Sequence, residues 1–443
     1  MLEIIRYLES EIIDQFLIDD NNRPWIIGFS GGKDSTMLLQ IVWNSLKKIE
    51  PILRRQRKLY VICNDTLVEN PKIADFIYRT LKNIEVAAVR DGIDLFVEQT
   101  QPRLEDTFWV NLIGRGYPAP NNLFRWCTER LKINPTSKRI LEKVDENGEV
   151  IILLGTRNDE SATRARSIKK HQIGNGRLRK HPLPNAYVYA PLTEITTEEV
   201  WQYLMSIPSP WNGRNNELVT LYRNASGGDC PLVIDTTTPS CGNSRFGCWV
   251  CTVVKKDSSM EALIDNGEDW MEPLLDFRDL LAESRENMDW REQYRRSGQE
   301  GPGPYKPKIR ALLLEKLLKA QYEVSKSSPE TVLITNQELV AIQVIWYRDG
   351  IFNYQVSDIY NNIYSSKTME TDKIDNQKRK ELEILSSVCA KNPDHIDLIS
   401  DLLNVQKTKI LMRKKVGLSA DIETQLERFL KNNVNTETVN DHQ

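Results

Sequence analysis

No stretch of the 443 residues is apolar for long enough to span a bilayer, and the charges nearly cancel, with 59 Lys and Arg against 62 Asp and Glu for a formal net charge of −3. The first absence removes an integral membrane protein, so no membrane is expected among the partners. The second removes a polycation, so any contact with nucleic acid has to come from local patches. The chain opens without the pattern of a secretory leader. Glu3, Arg6, Glu9, Glu11 and Asp14 interrupt the apolar positions Ile4, Ile5, Leu8, Ile12 and Phe16 at helical spacing. An amphipathic helix and a cytoplasmic location are expected. Seven cysteines in such a chain argue against a disulfide framework. Four of the seven fall within residues 230–251, which points to metal. No internal repeat is found.

What the chain has is a length that calls for two or three domains, with 40% hydrophobic and 27% charged residues, as in globular proteins. From residue 24 to about 210, strand-like and helical patterns alternate. Trp25–Phe29, Leu59–Cys63, Glu85–Val89, Leu95–Val97 and Ile151–Leu154 read as strands, and Pro71–Leu81 and Thr196–Met205 as helices. Such alternation predicts an α/β fold with a doubly wound parallel sheet, whose ligands bind beyond the carboxyl ends of the strands. Residues 208–250 are rich in Pro, Gly, Ser, Thr and Asn and need an external staple for order. From 258 to 443 helical patterns dominate, at Glu272–Ser284, Ile309–Gln321, Gln337–Tyr347, Lys378–Ala390, Ile396–Arg413 and Ile422–Leu430. The expected division is therefore 1–207, 208–257 and 258–443.

The strongest local signal is Ser30-Gly31-Gly32-Lys33-Asp34-Ser35, placed between the strand-like run Trp25–Phe29 and an apolar-periodic segment with Leu38, Ile41, Val42 and Leu46. Strand, glycine turn and helix form a phosphate cradle: glycines let backbone N–H groups approach, and the helix N-terminus adds partial positive charge. Lys33 can pair with phosphate oxygens. The spacing is not that of a Walker A loop, because Asp34 follows the lysine. Asp65 and Gly155 lie, like Ser30, just past strand-like runs, so three segments can converge on one nucleotide. Gly155-Thr156-Arg157-Asn158-Asp159-Glu160-Ser161-Ala162-Thr163-Arg164 adds two arginines, Arg157 and Arg164, suited to nucleotide or phosphate.

Two cysteine elements follow. Cys127 is flanked by Arg125 and Arg130, and neighbouring cations favour the reactive thiolate, although a buried core cysteine is the alternative. Cys230, Cys241, Cys248 and Cys251 give C-x10-C-x6-C-x2-C, a set able to hold a 4Fe–4S cluster or a zinc ion. The single close pair, Pro231 after Cys230 and Gly247 before Cys248 favour the cluster. Cys63 and Cys389 read as packing residues, and His171 and His181 as solvent-exposed. The basic candidates for nucleic acid are Arg54, Arg55, Arg57 and Lys58, and the longer run from Arg164 to Lys180.

The Ser30–Ser35 string resembles the PP-loop of ATP pyrophosphatases, which cleave ATP to AMP and pyrophosphate and usually adenylate an oxygen in doing so. Residues 155–164 and Pro191–Leu204 resemble signatures of the phosphoadenylyl-sulfate reductase branch, with Ile195 in place of that branch's tryptophan, and Asn64-Asp65-Thr66 sits where that branch carries Asp-Thr-Gly, with Leu67 in place of the glycine. Together with Cys127 and the four-cysteine set, the order of motifs resembles the DndC family of sulfurtransferases in DNA phosphorothioation systems. The C-terminal Glu-Cys-Gly-[IL]-His element of true sulfonucleotide reductases is absent from the sequence. The resemblance implies ATP, Mg²⁺ near Asp34, a 4Fe–4S cluster, and Cys127 as sulfur carrier. It implies as partners DNA, a cysteine desulfurase and other Dnd proteins. A tRNA-thiolating enzyme, a sulfonucleotide reductase and a non-enzymatic DNA-binding scaffold are the alternatives.

Overall fold

The structure is a computed structural model that describes residues 2–18, 22–160, 177–224 and 247–364, with short separate stretches between 380 and 426. Six strands form one sheet: β1 (Trp25–Gly28), β2 (Leu59–Asn64), β3 (Leu95–Thr100), β4 (Val150–Leu153), β5 (Leu178–Lys180) and β6 (Ala186–Tyr189), in the order β3-β2-β1-β4-β6-β5. Every pairing is parallel except β5 with β6. The chain leaves β1 toward β2 on one side and returns through β4 on the other. The topological switch point, where such sheets bind ligands, therefore lies between β1 and β4.

Alternation along the strands divides the sheet into two faces. Trp25, Ile27, Leu59, Val61, Ile151 and Leu153 face a core shared with the helices Leu2–Ile18, Lys33–Lys47, Pro71–Asp91 and Thr197–Ser206. Ile26, Tyr60, Ile62, Val150 and Ile152 face Ile140 and Val144 of the helix Asn134–Asn147. Both faces are covered, which is why these strands read as continuous apolar runs. The fold class is thus the expected mixed α/β sheet with helices following it.

One expected strand is a helix. Glu85–Val89 continues the helix Pro71–Asp91, which ends only at Gly92 with a φ of +60°. No glycine or proline interrupts residues 72–91, and Ile73, Phe76, Ile77, Leu81, Ile84 and Ala88 keep helical spacing on the buried face. The β-branched residues that imitated a strand, Val86 and Val89, are 71% and 84% exposed on the outer face.

A second core does not respect the divisions drawn from the sequence. Phe108, Trp109, Leu112, Ile113, Trp126 and Leu131, which lie between β3 and the helix Asn134–Asn147, pack with Trp249, Phe277, Leu314, Leu317 and Trp346. Hydrogen bonds fix the arrangement: Trp109 Nε1 donates to the Leu333 carbonyl at 2.6 Å, Trp346 Nε1 to the Ile113 carbonyl at 3.0 Å and Arg310 to the Gly114 carbonyl at 3.0 Å. The helices Glu272–Glu286, Pro307–Ser327 and Asn336–Arg348 lie where the periodicity places them. The three helices expected beyond 378 lie largely outside the described residues.

Candidate functional site

Ser30–Ser35 forms the turn between β1 and the helix Lys33–Lys47. Gly31 has a φ of +72°, and a Cβ there would come within 2.5 Å of Ile77 Cγ1, so only glycine fits. Ser35 Oγ accepts from the Ser30 N–H at 3.2 Å and donates to the Gly32 carbonyl at 3.0 Å, closing the turn. Gly32 is the N-cap and brings no side-chain oxygen, so the head of this helix keeps donors for an anion. The Lys33 N–H points to the Tyr222 hydroxyl at 3.2 Å. Gly155 packs against the same helix head, since a Cβ there would lie 2.8 Å from the Asp34 carbonyl oxygen.

The charges of this loop are tied to one another. Asp34 Oδ2 accepts from Lys33 Nζ at 3.0 Å and its Oδ1 from Arg157 Nε at 2.7 Å. Arg157 is 1% exposed and spends its remaining donors on Asp159, the Ile195 carbonyl and Thr197. Thr197 in turn donates its backbone and hydroxyl protons to Asp159, which holds that carboxyl below its ordinary range with help from Arg157. Arg157 thus braces Asp34 and the head of the helix Thr197–Ser206 instead of reaching into open space. With both Asp34 oxygens on cations, the carboxylate fits a bracing role better than that of a Mg²⁺ ligand. Asp65, at the end of β2, is likewise engaged, accepting from Leu67 N–H at 2.9 Å and from Gln101 at 2.9 Å. Arg164 lies outside the described residues.

Beyond the carboxyl ends of the strands opens a cavity of about 380 Å³ lined by Ser30, Asn64, Glu69, Lys132, Thr136 and His181, among others. His181 was expected in solvent but is half-buried, its Nδ1 accepting from Leu183 N–H at 3.1 Å, and burial lowers its pKa. A second cavity, also about 380 Å³, has Cys127, Cys248, Cys251, Lys132, Arg125 and Lys256 on its walls. Lys132 and Gly247 line both.

The two cavities adjoin because the cysteine turn is laid directly on the loop after β2. Asn70 N–H donates to the Gly247 carbonyl at 3.2 Å and Trp249 N–H to the Val68 carbonyl at 3.0 Å, a short antiparallel bridge. Thr66 Oγ1 and Cys248 Sγ lie 3.4 Å apart. Leu67, at the position of the related family's glycine, keeps a φ of +64°.

The cysteine cavity corrects the reading of the flanking arginines. Arg125 turns to Asn122 at 2.6 Å, and Arg130 pairs with Asp106. Burial raises the Cys127 thiol, and the neighbouring Cys251 adds to it. Burial also pushes Cys248 up to about 11, against the pull of Lys132. The cation that faces these thiols is Lys132, whose own pKa is raised first by Cys248 and then by Glu69, Cys127 and Cys251. A π-type turn at Glu129–Ile133 carries it. Glu69, on the other side of Lys132, is pushed up to about 7 by burial. Sequence reasoning missed both. Lys132 stood in a basic run with nothing to distinguish it, and Glu69 in a polar turn.

Cys230 and Cys241 lie outside the described residues. Cys248 and Cys251 supply two thiols on one cavity wall, joined by a Cys251 N–H to Cys248 carbonyl bond of 3.1 Å. Among the described residues no group of three or more His, Cys, Asp or Glu side chains converges as a metal site. Of the basic candidates, Arg57 is 1% exposed, bonded to the carbonyls of Phe16 and Arg23 and stacked on Phe16 and Trp25, so that cluster is partly core. Among the described residues no helix is long and apolar enough to cross a membrane.

Comparison with known proteins fits this geometry. Residues 24–254, just over half of the chain, match the family model of the phosphoadenosine phosphosulfate reductase domain. The uncharacterized protein MJ0066 of Methanocaldococcus jannaschii is 30% identical over 234 residues, which is 53% of this chain and 37% of that protein. The chain thus spans little more than a third of that relative. Among solved structures, phosphoadenylyl-sulfate reductase from Candida auris, as a phosphate complex, is 13% identical over 46% of this chain and 87% of that one, with a TM-score of 0.28. FMN adenylyltransferase from Candida glabrata, with FAD and inorganic pyrophosphate, is 13% identical over 70% and 81%, with a TM-score of 0.29. With a glycine-turn helix head at the switch point of its sheet, the chain belongs to the phosphoadenosine phosphosulfate reductase domain family.

Proposed function

We propose that this chain is an ATP-dependent sulfurtransferase that replaces a non-bridging oxygen of a DNA backbone phosphate by sulfur. The observation that carries the reading is the common wall of the two cavities, where Lys132 and Gly247 line one cavity with Ser30, the first residue of the loop, and the other with three cysteines. A nucleotide site and a thiol site in contact suit a reaction that activates an oxygen and then displaces it with sulfur. DNA as acceptor rests on the order of motifs that resembles the DndC family.

The chemistry has two steps. A phosphate oxygen attacks the α-phosphorus of ATP, and pyrophosphate leaves. Loop N–H groups and Lys33 stabilise the charge on the leaving pyrophosphate. The terminal sulfur of a persulfide on Cys127 then attacks the activated phosphorus, and AMP leaves. A second thiol cleaves the resulting sulfur–sulfur bond and frees the phosphorothioate, leaving a disulfide. Asp34 and Arg157 keep Lys33 and the helix head in place during the first step. A 4Fe–4S cluster would be held by Cys230, Cys241, Cys248 and Cys251 and would supply bound sulfide or electrons. A cysteine desulfurase would load the sulfur, and other Dnd proteins would present the DNA.

The test is mass spectrometry of nuclease-digested DNA and tRNA from the host with and without the gene, together with pyrophosphate release by the protein. Phosphorothioate-linked dinucleotides that vanish on deletion are the expected result. Loss of tRNA thionucleosides with unchanged DNA moves the same chemistry to RNA. Lys33→Ala is expected to cut pyrophosphate release by about 10² to 10³; undiminished release in that variant rejects the phosphate-loop assignment.

A further inference from the structure

The head of the helix Lys33–Lys47 is not bare. Tyr222, from the helix Asn216–Asn224, reaches it from 189 residues away, and its hydroxyl oxygen accepts the Lys33 N–H at 3.2 Å. A Cβ built on Gly32 would lie 3.3 Å from that oxygen, so the hydroxyl rests on the glycine turn itself. The Lys33 ammonium stands 5.8 Å from the ring centroid. The side chain is held there from behind: Tyr222 is 6% exposed and packs edge to face on Trp201 with centroids 4.8 Å apart. Trp201 is itself fully buried.

An oxygen accepting the first N–H of an uncapped helix, against a glycine turn and beside a lysine, stands where an anion oxygen would stand. We propose that the Tyr222 hydroxyl is a built-in competitor for the phosphate site, which must give up the Lys33 N–H before pyrophosphate or the terminal phosphates of ATP can take it. This rests on the reading of Ser30–Ser35 as a phosphate loop. The exchange favours the ligand, because a charged phosphate oxygen is the stronger acceptor for an N–H. The tyrosine satisfies the donor in the empty protein and weakens ligand binding by the cost of its own displacement. One neutral hydrogen bond corresponds to roughly threefold to tenfold in affinity. The competition is confined to ligands that carry phosphate into the loop.

Isothermal titration calorimetry with inorganic pyrophosphate on the full chain tests this, using wild type, Tyr222→Phe and Lys33→Ala. Phenylalanine keeps the ring on Trp201 and removes only the oxygen. Tyr222→Phe is expected to bind pyrophosphate roughly threefold to tenfold more tightly than wild type. Equal or weaker binding by Tyr222→Phe, with wild type binding, overturns the proposal and leaves the phosphate loop standing. Absence of binding in both, or wild-type affinity in Lys33→Ala, overturns the phosphate-loop reading and the proposal with it. A second readout needs no affinity difference. With Tyr222→3-fluorotyrosine, the ¹⁹F resonance is expected to shift as pyrophosphate saturates the protein. A resonance that stays fixed through saturation also overturns the proposal.

Discussion

The two cavities that meet at Lys132 use charge in opposite ways. On the phosphate-loop side, Lys33, Asp34 and Arg157 are spent on one another, at 3.0 Å and 2.7 Å, and the anion-binding capacity resides in backbone N–H groups at a glycine turn. On the cysteine side the backbone is closed by a β-bridge, and a half-buried lysine faces the thiols and pulls Cys248 down against the larger upward push of burial. The first site is braced by salt bridges turned inward. The second has its cation on the cavity wall. Side-chain charge is therefore internal bracing at the loop and faces open space in the cysteine cavity.

Substitutions separate these roles. Arg157→Met leaves Asp34 without its buried partner and is expected to cost about 3 to 5 kcal/mol in denaturant unfolding; a loss under 1 kcal/mol would mean that the bridge is not structural. Glu69 carries the next largest effect. Its folded pKa of about 7 lies above the ordinary 4.5, so its contribution to stability is full below about pH 4.5 and lost as the pH rises through 7. Against Glu69→Gln, the wild type should therefore lose up to about 3 kcal/mol between those limits, measured by denaturation at pH 4.5 and 8; a constant difference would place Glu69 in solvent. Lys132→Met removes the cation that pulls the Cys248 thiol down and is expected to slow its alkylation at pH 8 several-fold. Mass spectrometry of the labelled peptides reads Cys248 separately from Cys127. Leu67→Gly should change stability by less than about 1 kcal/mol, because relief at a positive φ offsets the lost side chain; a larger loss would show that the leucine packs more than it strains.

Strands β1, β2 and β4 were legible because they are covered on both faces and read as short apolar runs, and the phosphate loop because its chemistry is contiguous; β5 and β6, short and partly polar, were not read. Trp25 through Ser35 carries strand, turn and helix head in eleven consecutive residues. What escaped is what distance in sequence conceals. Tyr222 reaches the loop across 189 residues, and Lys132 meets the cysteine turn only because residues 68–70 bridge 247–249. Arg157 was legible as part of the site but not in its role, since only the fold shows that its donors are used within the protein. Glu85–Val89 misled because β-branched residues occupied the outward face of a helix that packing on the opposite face had already determined.

The second core has a consequence for the order of events at the ribosome. Ile113 waits for Trp346, 233 residues later, to close over it. At about 5 to 20 residues per second that is an interval of about 10 to 50 s. Over that interval the cluster of Phe108, Trp109, Leu112 and Ile113 gains its cover piecemeal, from Trp249 and Phe277 first, then Leu314 and Leu317, and Trp346 last. The nascent chain therefore presents an aromatic patch that is closed only when its last covering helix has been made.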